Sequence, residues 1–430
     1  MKLYNLKHPR EQLDFPQAVL QSIGTDGGLF YPAYLPRFED ITEILAEPFV
    51  PRSQIILNRL LGDDFDPGVI PLLVERAFGF PVPLVSVNRK IAALELFHGP
   101  TLAFKDFGAR FMAGVLGHLV ERGDHTGPLT ILCATSGDTG AAVAHAFYGM
   151  PDIKVVILYP EGRISGLQEK LFCTLGGNIC TLAVNGDFDA CQSLVKQCFT
   201  DDTLTERYGL NSANSINVAR LFAQTSYYFE ALAKAQTRDK VVIAVPSGNF
   251  GNLSAGLLAQ QMGLPVSAFI AATNANDTVP RYLQSAVWQV NKTIQTRSNS
   301  MDVSSPNNWP RVEECFRLRN SSPARELRYS AISEDQTIAA QKRLYEDGYT
   351  AEPHAAVAYA ALAKGLRPDE TGVFLCTAHP AKFKDSVESA LGIEVALPEQ
   401  LAESAGKASL SIPMAASVDE LKKHIAQAWV

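Results

Sequence analysis

The sequence predicts an α/β protein made of two open, mostly parallel α/β halves and an additional, mainly helical N-terminal domain. Its 430 residues exceed what one hydrophobic core usually organises, so the length favours two or three subdomains. From about residue 128 onwards, short apolar runs alternate with helical stretches, a pattern typical of βαβ units and a parallel sheet. The first 95 residues carry several proline and glycine interruptions instead, and we treat them as a separate domain.

The N-terminal domain is predicted to span residues 1–95 and to consist of short helices joined by turns. Helical patterns lie in two stretches, LDFPQAVLQSIG and FVPRSQIILNRLLG. The prolines and glycines around them mark the turns.

The first α/β half is predicted over residues 96–235. Its strands are the apolar runs TILCA, KVVILYP and NICTLAV, and they alternate with the helical stretches AAVAHAFYG, GLQEKLFCTLGG and FDACQSLVKQCF. A long amphipathic helix over NVARLFAQTSYYFEALAKA ends this half.

The second α/β half is predicted over residues 236–430, where the alternation resumes with the strands KVVIAVP, SAFIAAT and GVFLCTA. In open α/β sheets, ligands bind at the carboxyl ends of strands, where loops lead into helices. We therefore expect the chemical motifs of the chain in the loops that follow its strands.

The charge pattern argues against two classes of partner. The chain has 38 basic and 45 acidic side chains, a net charge of −7, and no long Lys/Arg run, so we expect neither nucleic acid nor an anionic membrane as a partner. The start MKLYNLKHPR lacks the apolar core of a signal peptide, and no stretch approaches the roughly 20 apolar residues that span a bilayer. These features predict a cytoplasmic protein.

Cysteines and histidines give no metal-binding pattern. The seven cysteines include no CxxC pair, which predicts reduced, mostly packed thiols. Cys191 and Cys198 lie seven residues apart on a predicted helix and should therefore share its buried face. The eight histidines form neither HExxH nor a CxxC-plus-His spacing, so no metal site is predicted.

The first chemical motif is the polar loop between the strand TILCA and the next helix. Thr135, Ser136 and Thr139 offer hydroxyls, Gly137 permits a sharp turn, and the free amides at the helix start favour a carboxylate or a phosphate. The alternative is that Ser136, Asp138 or Thr139 only caps the helix, which is the commoner role for such residues.

The second motif is SGNFGN, between the strand KVVIAVP and the helical stretch LSAGLLAQ. Gly248 and Gly251 permit close approach of the backbone, and Asn249 and Asn252 supply donors, so the loop can bind a phosphate without a lysine. It is neither a GK[ST] phosphate loop nor a GxGxxG dinucleotide motif. A simple left-handed turn is the alternative.

The third motif, HGPTLAFKDFGARF, places Lys105 beside Phe104 and Phe107 at a predicted helix start. Burial among these rings would lower the lysine pKa toward the neutral amine that imine formation needs. A solvated lysine on a helix surface is the commoner fate of this residue type. A weaker feature is Thr377, which ends the strand in GVFLCTAHPAKF and could equally cap a helix.

Taken together, these motifs resemble those of the threonine synthase family. HGPTLAFKDFGARF, ATSGDTGAAVAHAF, PSGNFGN and LCTAHPAKF occur in the order and spacing of that family. The resemblance covers nearly the whole chain, including NSANSINVARL, ATNANDTVPRY, MDVSSPNNWPRVEE and GYTAEPHAAVAY. The family belongs to the tryptophan-synthase β type of pyridoxal-phosphate enzymes, known as fold type II. The resemblance therefore implies this fold and pyridoxal 5'-phosphate as the cofactor.

The resemblance also implies roles for individual residues. Lys105 would form the Schiff base with the cofactor, and Thr377 would face its pyridine nitrogen. The cofactor phosphate would lie on the loop of Gly248, Asn249, Phe250, Gly251 and Asn252. The substrate carboxylate would lie on the loop of Thr135, Ser136, Gly137, Asp138 and Thr139.

The reaction implied is the conversion of O-phospho-L-homoserine and water to L-threonine and phosphate, a β,γ-replacement that ends threonine biosynthesis. Lys105 would act as the base for protons at Cα and then at Cβ. The alternatives are a serine or threonine dehydratase on the same scaffold and a non-catalytic regulator that binds pyridoxal phosphate. An NAD-dependent oxidoreductase is disfavoured because the chain lacks a GxGxxG loop with its downstream acid.

Two questions about charge stay open in the sequence. Asp138 stands where many fold type II relatives have Asn, and a carboxylate beside the cofactor's phenolate would be repelled. Asp138 must therefore be protonated, reach a donor elsewhere, or engage the substrate's ammonium or imine. The substrate phosphate needs a local cation, and no signal selects one among Arg281, Arg311, Lys170, Lys382 and Lys384. The oligomeric state is not predicted.

Overall fold

The computed structural model describes residues 1–235 and 240–429. Within these residues, helices cover a five-stranded parallel sheet and a six-stranded, mostly parallel sheet, and a small antiparallel sheet lies near the N-terminus. The predicted α/β class with two mostly parallel halves is confirmed. The predicted boundary between the halves, at residues 235 and 236, touches the undescribed segment, so residue 236 itself lies outside the described residues.

The first 95 residues contain strands as well as helices. In chain order they are β1 (Lys2–Asn5), β2 (Gln12–Asp14), α1 (Phe15–Gln21), β3 (Phe30–Pro32), α2 (Ile41–Ala46), α3 (Phe49–Leu61), α4 (Val69–Ala77), β4 (Leu84–Ser86) and β5 (Ile91–Glu95). Helices α1 and α3 confirm the two predicted helical stretches. The antiparallel sheet β2-β1-β3 was not predicted, because strands of three or four residues leave no clear period in a sequence.

The region that contains the predicted first half alternates between strands and helices. Its elements are α5 (Lys105–Arg122), β6 (Leu129–Ala134), α6 (Asp138–Phe147), β7 (Ile153–Pro160), α7 (Gly166–Cys173), β8 (Ile179–Asn185), α8 (Phe188–Phe199), α9 (Asp202–Tyr208), β9 (Leu210–Asn211), α10 (Val218–Ala223) and α11 (Thr225–Ala235). The three predicted strands are confirmed as β6, β7 and β8. The prediction of one long helix ending this half was wrong. Gln224 N–H donates to Leu221 O, a tight three-residue turn that separates α10 from α11.

The remaining described residues continue the alternation. They form β10 (Lys240–Pro246), α12 (Gly251–Gln261), β11 (Ala268–Thr273), α13 (Thr278–Ser285), α14 (Trp309–Arg317), α15 (Pro323–Glu326), β12 (Arg328–Ala331), α16 (Glu334–Glu346), α17 (Pro353–Gly365), β13 (Glu370–Cys376), α18 (Lys384–Leu391), α19 (Glu399–Ala405), β14 (Ile412–Ala415) and α20 (Val418–Gln427). Strands β10, β11 and β13 confirm the predicted ones. Short 3-10 helices lie at Asn299–Met301 and Pro380–Phe383.

Strand pairing crosses the predicted domain limits. The parallel sheet has the order β14-β8-β7-β6-β9, so the late strand β14 joins the strands of the first half. The larger sheet has the order β12-β11-β10-β13-β5-β4, with β5 parallel to β13 and β4 antiparallel to β5. Strands from the N-terminal part therefore complete the sheet of the second half. The domain limits at residues 95 and 235 stay a prediction, because strand pairing alone does not divide a chain into domains.

The core lies between the two large sheets and the helices that cover them. Every residue of β6 is buried, and in β10 and β13 the residues leading into the carboxyl end are buried too, as expected for strands covered on both faces. Cys191 and Cys198 are fully buried, which confirms their predicted place in the core. No helix in the described part of the chain combines the length and apolar character needed to cross a bilayer.

Candidate active site

A cavity of about 1440 Å³ lies where the carboxyl ends of β6, β10 and β13 approach one another. It is the place expected for a ligand in an open α/β architecture. The predicted site residues that line it are Lys105, Thr135, Ser136, Asp138, Thr139, Gly248, Asn249, Phe250, Gly251, Asn252 and Thr377. Gly137, the remaining predicted residue, is buried behind them against the side chain of Gln168.

Lys105 is the first residue of α5, and its side chain is only 13% exposed. Its Nζ lies 4.0 Å from Asp138 Oδ2. Burial lowers the pKa of Lys105 to about 8; Asp138 opposes this shift, whereas Arg220 and Lys382 add to it. The alternative of a solvated lysine on a helix surface is therefore wrong.

The backbone around Lys105 is tied to the end of β13. Phe104 N–H donates to Thr377 O at 2.9 Å, and His379 N–H donates to Leu102 O at 3.0 Å. These bonds fix Lys105 relative to Thr377, so that both side chains line the same cavity.

Asp138 begins α6 and accepts hydrogen bonds from three side chains. Its Oδ1 lies 2.7 Å from Lys382 Nζ and 3.0 Å from Gln168 Nε2, and Ser300 Oγ donates to its Oδ2 at 3.3 Å. Burial alone would raise the pKa of Asp138, but Lys382 and Lys105 outweigh it and hold the pKa well below its usual range. Of the three possibilities left open by the sequence, the structure supports the second: Asp138 is ionised and reaches donors elsewhere.

The loop before α6 is held by a threonine. Thr135 Oγ1 accepts the backbone N–H groups of Gly137 at 3.0 Å and Gly140 at 2.8 Å. The residue that directly precedes α6 is Gly137, which has no side chain and a φ of 131°, a conformation open to glycine. The alternative that Ser136, Asp138 or Thr139 caps this helix is therefore wrong.

The loop before α12 brings backbone close to backbone. A Cβ on Gly248 would lie 2.6 Å from the Cα of Met301, so only glycine fits there. Phe250 takes a left-handed φ of 61° directly before α12 and packs edge-on against Trp309. Such a conformation is costly for a bulky residue and is usually found at functional sites. Helix α12 begins directly after Phe250, so its first backbone amides are free at the end that lies at the cavity. Free amides at a helix start favour an anion.

Asn252 and Arg220, which line the cavity, each have a buried donor without an acceptor among the described residues, as do Trp309 at Nε1 and Thr205 at Oγ1. Tyr227 and Tyr228 both donate to Asn252 Oδ1 at 2.6 Å, and Asn252 Nδ2 has no partner. Arg220, which is 2% exposed, donates from Nη1 to Ala213 O, while its Nε has no partner. Because buried donors are nearly always satisfied, the free N–H groups of Asn252 and Arg220 suit a ligand with acceptor atoms, such as an anion, in this cavity.

His354 lines the cavity and holds Ser300 in place. Ser300 N–H donates to His354 Nε2 at 3.1 Å, so this nitrogen carries no proton. The proton therefore lies on Nδ1, which donates to Glu352 Oε2 at 2.5 Å. His354 is thus a neutral acceptor that holds Ser300, whose hydroxyl reaches Asp138.

Comparison with known proteins identifies the family of the chain. Residues 78–378 match the family of pyridoxal-phosphate dependent enzymes, and residues 355–425 match the C-terminal region of threonine synthase. The chain is 59% identical to threonine synthase of Haemophilus influenzae, over 93% of this chain and 94% of the relative. The chain belongs to the threonine synthase family.

Two solved threonine synthases share its architecture. The crystal structure of threonine synthase from Escherichia coli has a TM-score of 0.95 at 57% identity and covers 99% of this chain and 100% of its own. The X-ray structure of threonine synthase from Brucella melitensis with pyridoxal phosphate bound has a TM-score of 0.91 at 32% identity, covering 100% and 99% of the two chains. The predicted family and fold type II are confirmed, and the chain is a pyridoxal-phosphate dependent enzyme.

The cavity of this threonine synthase family member fits that cofactor. Asn252 Nδ2 and the open start of α12 suit the cofactor phosphate, while Lys105 offers a buried amine of lowered pKa to the aldehyde. The described residues contain no group of three or more His, Cys, Asp or Glu side chains placed to hold a metal ion.

Most cations suggested by the sequence are engaged elsewhere in the protein. Arg311 is buried and donates to three backbone carbonyls, and Arg281 pairs with Asp277. Lys170 donates to Lys407 O and Lys384 to Glu388, whereas Lys382 alone of the five pairs with a predicted site residue, Asp138.

Sequence reasoning missed Arg220, Gln168 and Ser300 as contributors to the site. Arg220 lies within the family-like segment NSANSINVARL, but nothing local distinguishes it from other helix arginines. Gln168 and Ser300 reach Asp138 across 30 and 162 residues of sequence, a distance at which local patterns carry no signal.

Proposed function

We propose that this chain converts O-phospho-L-homoserine and water to L-threonine and phosphate by a pyridoxal-phosphate dependent β,γ-replacement. The observation that carries the proposal is the position of Lys105, a buried lysine of lowered pKa in one cavity with two loops suited to anions. A substrate with an amine, a carboxylate and a phosphate needs this combination: a reactive amine at the centre and separate sites for its anionic groups.

Lys105 is the residue that would bind the cofactor aldehyde. The loop from Gly248 to Asn252 would hold the cofactor phosphate through the amides of α12, and Thr377 would face the pyridine nitrogen. A neutral hydroxyl at that nitrogen does not stabilise a protonated ring as an aspartate would, so Thr377 moderates the withdrawal of charge from the substrate.

The loop from Thr135 to Thr139 would hold the substrate carboxylate. Arg220 is a buried cation in the same cavity with an unfilled Nε donor, and we place the leaving phosphate of the substrate against it. When bound, the cofactor supplies the electron sink for the charge that develops at Cα.

Lys105 moves the protons of the reaction. As a free amine with a pKa near 8, it can take the proton from Cα and then one from Cβ close to neutral pH. The phosphate leaves from Cγ, a water hydroxyl is added at Cβ, and protons return to the carbon skeleton, so that threonine and phosphate contain the atoms of the substrate and one water.

The test is Lys105→Ala. We expect loss of the visible absorbance of bound pyridoxal phosphate and a fall of at least about 1,000-fold in phosphate release from O-phospho-L-homoserine, since the variant lacks both the covalent link and the base. Lys240→Ala, at a lysine that is 66% exposed, is the control and should retain both properties. Substantial phosphate release by Lys105→Ala would contradict the assignment of Lys105.

Product analysis distinguishes the alternatives. A dehydratase would not form threonine from O-phospho-L-homoserine, and a non-catalytic regulator would release no phosphate at all.

We further propose that the chain acts in the cytoplasm and has neither nucleic acid nor membrane as a partner. Its net charge of −7 supports the absence of these two anionic partners. The division into parts at residues 1–95, 96–235 and 236–430 is also kept as a proposal.

A further inference from the structure

Lys382 is a fully buried lysine that the proposed chemistry does not use. Its side chain is 0% exposed and lies in the 3-10 helix Pro380–Phe383, just after β13. Its Nζ lies 2.7 Å from Asp138 Oδ1 and donates to Thr101 O at 2.8 Å. Burying an ammonium group is costly unless it is paired, so this contact marks Asp138 as its counter-ion.

Asp138 thus lies between two lysines and contacts them unequally. Lys382 is in direct contact with Oδ1, whereas Lys105 Nζ remains 4.0 Å from Oδ2. Gln168 binds Oδ1 as well, and Ser300 binds Oδ2. The carboxylate is therefore held by groups other than Lys105, which stops short of a hydrogen bond with it.

We propose that Lys382 is a positioning residue of the active site, which holds the Asp138 carboxylate through Oδ1 and balances its charge so that Lys105 can release its proton. Without Lys382, Lys105 would be the cation left to balance the Asp138 carboxylate, so it would hold its proton more tightly and a smaller fraction of it would be a free base near neutral pH. This inference rests on the proposed role of Lys105.

Other charged groups around the two lysines do not replace this balance. Arg220 from α10 faces Lys105 and favours its neutral form. Unlike Lys382, however, Arg220 makes no direct contact with Asp138. Cys133 from β6 faces Lys105 too, and burial raises the pKa of this thiol to about 12, so it carries no charge near neutral pH. His354 from α17 faces Asp138 too, but its two ring nitrogens are engaged with the Ser300 amide and with Glu352, so it does not contact Asp138 directly.

The experiment measures the proton on Lys105 without the cofactor. In the full chain freed of pyridoxal phosphate, Lys105 is labelled with an amine-reactive ester over a range of pH, and the labelled peptide is quantified by mass spectrometry, because only the neutral amine reacts. We expect Lys382→Met to raise the midpoint by about one to two pH units. Below the midpoint this is at least a tenfold loss of labelling rate. The exposed Lys240 in each sample serves as the internal control.

Two further variants separate charge balance from packing. Lys382→Arg keeps the charge and should leave the midpoint close to that of the wild type. The double variant D138N/K382M removes both charges and should also lie close to the wild type, whereas Lys382→Met alone does not. A midpoint in Lys382→Met equal to or below that of the wild type would overturn the proposal.

Lys382→Met leaves a buried carboxylate without its main partner, so this variant could fail to fold. A second pair of variants keeps the proposal testable. In that case Asp138→Asn is compared with D138N/K382M, because neither contains that unpaired carboxylate. We expect the midpoint of the double variant to lie above that of Asp138→Asn, and equal midpoints would overturn the proposal. Because labelling needs no cofactor, these outcomes stand apart from the Lys105→Ala test of the proposed function.

Discussion

The loop after β6 and the loop after β10 have the same local structure: a strand, a glycine-containing turn and a helix start. They differ in charge, because the first contains an ionised side chain and the second contains none. The first contains Asp138, a buried carboxylate that Lys382 contacts directly and that Lys105 faces at 4.0 Å. The second, SGNFGN, has no ionisable side chain and offers helix amides and the amide of Asn252, which two tyrosine hydroxyls hold in place.

The difference shows which part of a site can be built locally. A neutral anion site needs only glycines, a helix start and a few hydroxyls, all of which a short segment and one packed helix supply. A buried carboxylate needs counter-ions and donors from several elements, here Ser300 from a site 162 residues away and Lys382 from beyond β13. The first loop should therefore be sensitive to charge changes and the second to changes in shape.

Among the changes that test this contrast between the two loops, the largest effect is expected for Asp138→Asn in the first loop. The change removes the carboxylate and leaves Lys382 buried without its counter-ion. It also lowers the pKa of Lys105, because Asp138 raises that pKa. We expect kcat/KM for O-phospho-L-homoserine to fall about 100-fold, within the range for a misplaced catalytic acid or base, and its pH profile to move. Asp152→Asn, at an exposed position in the same region, is the matched control. Full kcat/KM with an unaltered pH profile would remove Asp138 from the chemistry.

A smaller effect is expected for Gly248→Ala in the second loop. The new Cβ would meet the Met301 Cα at 2.6 Å, and neither backbone can move away freely. Overpacking of this kind costs about 1–3 kcal/mol, so we expect the affinity for pyridoxal phosphate to fall about tenfold or more without a change in the pH profile. Gly406→Ala is the control, because a Cβ there meets nothing within 4 Å. Equal cofactor affinities, measured by absorbance titration, would show that the loop relaxes or lies away from the cofactor.

The contrast between the loops also explains how far the sequence could predict the molecule. Strands β6, β10 and β13 are continuous apolar runs, and ligands are expected in the loops at the carboxyl ends of such strands, so the place of the cavity and eleven of the residues that line it were predicted from the sequence. The partners of Asp138 were not, because Lys382, Gln168 and Ser300 reach it only through tertiary packing. The same reason hides the pairing of β14 with β8, since a strand of four residues carries no mark of its neighbour.

The smallest effect is expected for Tyr228→Phe beside the second loop. Its hydroxyl donates to Asn252 at Oδ1 and at the backbone oxygen, and Tyr227 would still hold Oδ1 after the change. A neutral hydrogen bond contributes about 1 kcal/mol, so cofactor affinity should fall no more than about fivefold and the pH profile should not move. Tyr34→Phe, at an exposed tyrosine, is the control. A fall of about 100-fold in cofactor affinity, with a changed pH profile, would mean that the tyrosine hydroxyls control the charge of an ionisable group. The second loop would then not be a neutral anion-binding site.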